Sequence, residues 1–129
     1  MPDAVPLFEM PSPFETESGT VLLLEPPTAT AGELRAQLLD ESYPKPFVID
    51  DGKQRFLYFN VRLMQSAMAL RTPNSLELRY TQKMMAFLLF HPRPKRIDLI
   101  GLGGGSLIKF CFHRLPGTQL TAVELDPNV

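Results

Sequence analysis

Residues 97–106 read Ile97-Asp-Leu-Ile-Gly-Leu-Gly-Gly-Gly-Ser106, and residues 121–126 read Thr121-Ala-Val-Glu-Leu-Asp126. The first stretch is an apolar strand that runs into a glycine-rich turn, and the second is a strand followed by acidic residues. Glycines let a strand-to-helix turn bring its backbone close to a ligand, and an acid after the next strand can accept hydrogen bonds from a ribose. A tight turn that binds nothing is the alternative. The flanking strand, helix and acid favour a nucleotide-binding βαβ unit.

The residues around the glycine turn predict the rest of this unit. Residues 107–115 are predicted to form a helix that ends at Pro116-Gly117, and residues 119–123 to form the next strand. This order builds a parallel sheet with a right-handed crossover. Asp126 followed by Pro127 is typical of the start of a further helix. Since two parallel strands leave faces and edges uncovered, we expect a truncated fold, or else a sheet completed by another chain, which is the rarer solution.

The sequence before the turn predicts a different architecture. Proline-rich residues 1–19 are expected to be an irregular arm, and residues 20–78 a small antiparallel β domain. Its clearest feature is a hairpin at Asp51-Gly52, because glycine there tolerates a positive φ. The predicted elements are strands at 20–25, 47–50, 54–59, 63–70 and 76–80 and a helix at 32–39.

Residues 79–129 are predicted to be the start of an incomplete Rossmann-like domain, so that the whole chain is of the α/β class. Within them, residues 80–90 are densely apolar and stop before Pro92, which predicts a helix with methionines that fill the core.

Glycine spacing narrows the ligand class. Glycines at 101, 103 and 105 form GxGxG, and Ser106 stands where the dinucleotide pattern GxGxxG has its last glycine. This partly disfavours NAD, and the lack of a following Gly-Lys-Ser/Thr excludes a Walker phosphate loop. The pattern suits an adenosine ligand without pyrophosphate, such as S-adenosylmethionine. Candidate ligand residues are Gly101, Gly103, Gly104, Gly105 and Glu124; Glu124 is preferred to Asp126 as the ribose contact because Asp126 is expected to cap a helix.

Composition excludes several other classes of partner. A net charge of −1 gives no general attraction to nucleic acid or anionic lipid. Nothing approaches the run of about 20 apolar residues that spans a bilayer, and the N-terminus does not resemble a secretory signal. We therefore expect a cytoplasmic protein that binds a small-molecule ligand, as a monomer or as a homo-oligomer. No metal site is expected, because His91 and His113 are isolated, and Cys111 is expected to be a buried apolar residue.

Several motifs, in this order, resemble the spermidine synthase family and its methyltransferase-like relatives. The resemblance covers about residues 47–129. Its motifs are Gln65-Ser66, Leu76-Glu-Leu-Arg-Tyr-Thr81, Met84-Met-Ala-Phe-Leu-Leu-Phe-His-Pro-Arg-Pro-Lys-Arg-Ile-Asp-Leu-Ile-Gly-Leu-Gly-Gly-Gly105 and Val123-Glu-Leu-Asp-Pro127.

The resemblance implies a small β domain followed by a class I methyltransferase-type Rossmann domain. It also implies S-adenosylmethionine or its decarboxylated form as the donor, with Gln65 near the methionine-derived part and Glu124 on the ribose. Two positions depart from the polyamine enzymes: Arg79-Tyr80-Thr81 replaces Tyr-His-Glu or Tyr-Gln-Glu, and Gly104 replaces an Asp that meets the donor's amino end.

These departures leave aminopropyl and methyl transfer both open. The family's catalytic acid lies beyond the position that matches Val129, so no catalytic residue is assigned. The alternative is a non-catalytic module that folds or assembles through its β domain.

Overall fold

A computed structural model of the chain describes residues 6–129, which divide into two compact units. The first extends through Gln65 and includes Asn128, and the second runs from Ser66 to Pro127 and includes Val129. Five strands and one helix lie within residues 8–69, and the last of these strands runs across the division. They are β1 (Phe8–Pro11), β2 (Thr20–Leu23), α1 (Ala31–Leu39), β3 (Phe47–Asp50), β4 (Gln54–Asn60) and β5 (Leu63–Ala69).

The five strands form one antiparallel sheet in the order β1-β2-β3-β4-β5. Alternate residues of β2 and β3 are buried, as the two-residue period of a strand requires. Their inward side chains pack with Leu34 and Leu38 of α1, so the helix covers one face of the sheet. Within this cluster the best-buried residues are Val21, Leu23, Leu38, Phe47 and Ile49. This part of the α/β prediction is confirmed.

The hairpin between β3 and β4 is confirmed at Asp51-Gly52. Gly52 has a φ of 86°, which is the left-handed conformation that favours glycine. The Asp51 carboxylate accepts hydrogen bonds from the backbone N–H groups of Lys53 and Gln54 at 2.8 and 2.7 Å. The turn is therefore held by its own side chains as well as by the strands.

The prediction of an irregular arm over residues 1–19 is wrong at β1. Phe8–Pro11 pairs antiparallel with β2, with Phe8 opposite Leu23 and Pro11 opposite Thr20. β1 is the edge strand of the sheet, where proline is tolerated because no second neighbour needs its missing N–H. Met10 is buried in the core, which gives this proline-rich segment an apolar anchor. Residues 1–5 of the predicted arm lie outside the described residues.

The second unit contains the predicted strand, turn, helix and strand. Its elements are α2 (Arg79–Met84), a 3-10 helix (Met85–Leu89), β6 (Arg96–Ile100), α3 (Ser106–Arg114) and β7 (Gln119–Val123). β6 and β7 pair in parallel, with Arg96 opposite Gln119 and Ile100 opposite Val123. The βαβ connectivity predicted from the sequence is thus confirmed. Residues 126–129 form a turn, closed by the N–H of Val129 on the carbonyl of Asp126, where a helix start was expected.

Two expectations for this unit are wrong. No strand forms at 76–80: Arg79 begins a helix, and the Gln82 side chain donates to the Leu76 carbonyl at 2.8 Å. The apolar run after it is not a filled core, since Met84, Leu89 and Phe90 are 55%, 83% and 89% exposed. The domain boundary at residue 78 stays a prediction, beside a division of the chain into two compact units after Gln65.

Candidate functional site

The candidate site is the turn between β6 and α3, where three glycines have left-handed backbones. Gly101, Gly103 and Gly105 have φ values of 89°, 56° and 74°. A residue with a Cβ is strained in this conformation by about 1–2 kcal/mol. The N–H of Gly101 donates to the Val123 carbonyl at 2.7 Å, so the turn begins where the two strands end. Gly105 is the N-cap of α3, and no side chain caps that helix.

Glu124, the first residue after β7, holds this turn through backbone N–H groups. Its Oε2 accepts from Leu102 at 2.8 Å and from Gly103 at 3.4 Å. Its Oε1 accepts from Leu125 at 2.9 Å and from Asp126 at 3.0 Å. Hydrogen bonds from the N–H groups of Asp126 and Leu102, in that order of effect, lower the pKa of the Glu124 carboxyl. An ionised carboxylate therefore sits beside the glycine turn.

Five of the six predicted ligand residues lie together in the second unit. Gly101, Gly103, Gly104 and Gly105 form the turn, and Glu124 contacts it directly. Gln65 is half-buried in β5 as the last residue of the first unit. Ligand contact by these six residues remains a prediction.

Ser66 was part of a motif in the sequence, but no role was predicted for it. It is buried in β5, and a Cβ placed on Gly104 would overlap its Oγ atom. The sequence signal for its burial is its place in a strand, directly before the apolar residues Ala67 and Met68. Its proximity to Gly104 cannot be read from sequence, because 37 residues separate the two.

An apolar cavity of about 280 Å³ lies along β6 and reaches Gly101. Methionines of the helical segment line one side, and the aliphatic side chains of β6 and α3 line the others. Asp98 is the one charged residue among the described residues that line it. The described lining residues are Met84, Met85, Phe87, Ile97, Asp98, Leu99, Ile100, Gly101, Leu107 and Cys111. Cys111 is 1% exposed, which confirms the expected apolar role, and burial raises the pKa of its thiol.

Over residues 6–129, no three His, Cys, Asp or Glu side chains are grouped as a metal site would require. None of the helices described in this range is long and apolar enough to cross a membrane.

Three curated relatives, all named polyamine aminopropyltransferase, resemble the chain. The protein of Chromobacterium violaceum is 39% identical over 89 residues, which are 69% of this chain and 34% of that protein. That of Neisseria meningitidis serogroup A is 39% identical over 88 residues, 67% of this chain and 34% of the relative. That of Vibrio vulnificus is 44% identical over 50 residues, 39% of this chain and 17% of the relative.

The matched part of the chain thus spans about a third of the length of the first two relatives. No family model and no solved structure matches the chain.

Proposed function

Because the chain belongs to the spermidine synthase-like family, we propose that its second unit binds the nucleoside part of decarboxylated S-adenosylmethionine or S-adenosylmethionine. In this proposal the βαβ unit is the beginning of a Rossmann-like, methyltransferase-type domain. The reaction it serves is transfer of an aminopropyl group to an amine, which the name of the relatives favours. Methyl transfer is the competing reaction, since Gly104 supplies no carboxylate for the donor's amino end.

The contact between Glu124 and the turn carries this proposal. The carboxylate lies 2.8 Å from the N–H of Leu102, so an acceptor and a donor face each other at the mouth of the turn. A ribose hydroxyl both donates and accepts hydrogen bonds. It can therefore donate to the Glu124 carboxylate and accept from the backbone N–H that the carboxylate now occupies. Adjacent hydroxyls on one sugar fit the two oxygens of a carboxylate in this way. The exchange keeps each of these polar groups paired, so that binding leaves no donor or acceptor unsatisfied.

Bound in this way, the donor would present its sulfonium centre for alkyl transfer. The amine nitrogen attacks a carbon next to sulfur, the carbon–sulfur bond breaks with its electron pair going to sulfur, and the amine loses a proton. The products are a substituted amine and a neutral thioether nucleoside. Glycine backbone and Glu124 contribute proximity and orientation to this reaction. No residue of this chain is assigned to take the proton.

Titration calorimetry on the 129-residue chain tests the binding step. The probes are S-adenosylmethionine, its decarboxylated form and methylthioadenosine, which shares the nucleoside and lacks the charged groups. We expect binding of methylthioadenosine, and its loss in Glu124→Gln, because an amide replaces the charged acceptor. Asp126→Asn is the matched control, since it changes the neighbouring acid that is not assigned to the ribose. Silence of the wild-type chain with all three probes, or equal affinity of Glu124→Gln, contradicts the proposal.

A non-catalytic module that assembles is the second candidate, and the exposed apolar residues of the second unit favour it. Ile100 and Leu125 are 98% and 97% exposed, besides Leu89 and Phe90. A monomeric protein rarely exposes large contiguous apolar patches. This candidate predicts a concentration-dependent mass in light scattering and no heat with any nucleoside. A monomer that binds methylthioadenosine excludes it.

A further inference from the structure

Gly104 lacks a side chain for a different reason from the other glycines of the turn. Gly101, Gly103 and Gly105 have positive φ, whereas Gly104 does not, so its backbone conformation is open to residues with a side chain. Space, however, is not available. A Cβ on Gly104 would overlap the Ser66 Oγ and lie 3.2 Å from the Ser66 Cβ. Apart from the chain neighbours of Gly104, Ser66 is the one described residue with atoms within 4 Å of that position.

Ser66 is itself held firmly. Its exposed fraction is 6%, and that of the next residue, Ala67, is 5%. One residue further along β5, the Met68 Sδ lies 3.1 Å from the Lys109 Nζ, a residue of α3. The end of β5 therefore contacts both the turn and the helix that follows it. Rotation about χ1 can move the Ser66 Oγ, but the Ser66 Cβ is fixed by the buried strand and stays 3.2 Å from a Cβ on Gly104.

We propose that Ser66 is a positioning residue for the ligand-binding turn, and that it acts by packing directly against the bare backbone of Gly104. The inference rests on the proposed function, because the turn is taken to bind the nucleoside. On one side Glu124 holds the turn through the N–H groups of Leu102 and Gly103. Ser66 supports it at Gly104. These contacts fix the turn at two points, as a binding site that must hold sub-ångström geometry requires.

A double-mutant cycle separates this role from a general packing effect. The variants are Gly104→Ala, Ser66→Gly and the two combined, with Ser66→Ala plus Gly104→Ala as an intermediate step. Gly32→Ala is the matched control, because nothing lies within 4 Å of a Cβ at Gly32 and its φ is not positive. Each variant is titrated with methylthioadenosine well below its melting temperature, and its melting temperature is measured separately.

Gly104→Ala alone is expected to weaken binding about tenfold or more, since neighbouring residues that share a contact are energetically coupled. Removing the Ser66 side chain makes room for the added methyl, so the Ser66→Gly/Gly104→Ala variant should bind within about threefold of Ser66→Gly. The Ser66→Ala/Gly104→Ala variant should have an intermediate affinity, because the Cβ of residue 66 stays 3.2 Å from the Cβ added at residue 104. Gly32→Ala should bind like the wild type.

Failure of the role proposed for Ser66 and failure of the proposed function give different results. A wild-type chain that binds no probe refutes the proposed function and, with it, a positioning role for Ser66. A wild-type chain that binds, together with a Gly104→Ala variant of unchanged affinity or a double variant without rescue, overturns the role of Ser66 alone. Changes in melting temperature with constant affinity also overturn it, since they show support of the fold only.

Discussion

Leu38→Ala tests whether α1 and the sheet form one core. Leu38 is 1% exposed and belongs to the same buried cluster as Leu23 and Ile49. Truncation of a buried leucine to alanine removes its transfer free energy and leaves a cavity, at a cost of about 3 kcal/mol. Leu39, the next residue of the helix, is 52% exposed. Leu39→Ala should therefore change the free energy of unfolding by less than about 0.5 kcal/mol.

Urea denaturation followed by tyrosine fluorescence measures this difference. The chain has no tryptophan, and two of its three tyrosines, Tyr43 and Tyr58, lie in the same core. For a slope of about 1.5 kcal/mol per M, the Leu38→Ala midpoint should fall by about 2 M with the slope unchanged.

The comparison of Leu38 with Leu39 makes the prediction strict. Equal midpoints for the two variants would show that α1 does not bury the face described here. A greater loss for Leu39→Ala would show that the helix is rotated about its axis, so that the other leucine faces the sheet.

Three further predictions concern the turn, a tyrosine and the cysteine. Gly103→Ala should weaken methylthioadenosine binding about tenfold in calorimetry, because a Cβ at a φ of 56° costs about 1–2 kcal/mol; wild-type affinity would refute this. Burial and the Glu25 carboxylate raise the pKa of Tyr43 above 10.0, so the folded chain holds that proton more tightly. The protonated Tyr43 therefore contributes its full stability below about pH 10, and this contribution is lost as the pH rises further. Between about pH 9 and 11 the urea midpoint should fall less in Tyr43→Phe than in the wild type. Cys111 should react with a thiol reagent slowly in buffer and rapidly in urea, and equal rates would contradict its burial.

Local signals predicted the parts of the fold that depend on backbone preference. Asp51-Gly52 specified the β3–β4 hairpin, because a positive φ at Gly52 is a property of that residue and its neighbours. The apolar strand before the glycines, and the spacing to Glu124, likewise specified the parallel pair and the acid beside the turn. The hairpin depends on neighbouring residues, and the parallel pair depends on two segments joined by one helix within a single βαβ unit.

Tertiary contacts decided what the sequence did not predict. Phe8–Pro11 forms a strand because it pairs with the edge of β2. This pairing outweighs the low strand preference of a proline-rich segment. The apolar run that includes Met84 and Met85 predicts a packed core. Such a run indicates an apolar face, but it does not indicate what covers that face. The packing of Ser66 on Gly104 depends on two distant segments meeting, and no local pattern records it.

Amide chemical shifts report directly whether the glycine turn binds the nucleoside. In a nitrogen-15 spectrum of the 129-residue chain, added methylthioadenosine should shift the N–H signals of Leu102, Gly103 and Gly105 together and saturably. Signals of Gly32 and Gly52, which lie in α1 and in the β3–β4 turn of the first unit, should stay in place. We expect this localised response, and its loss in Glu124→Gln. Saturable shifts confined to other residues, or no shift at the glycine turn, would contradict it.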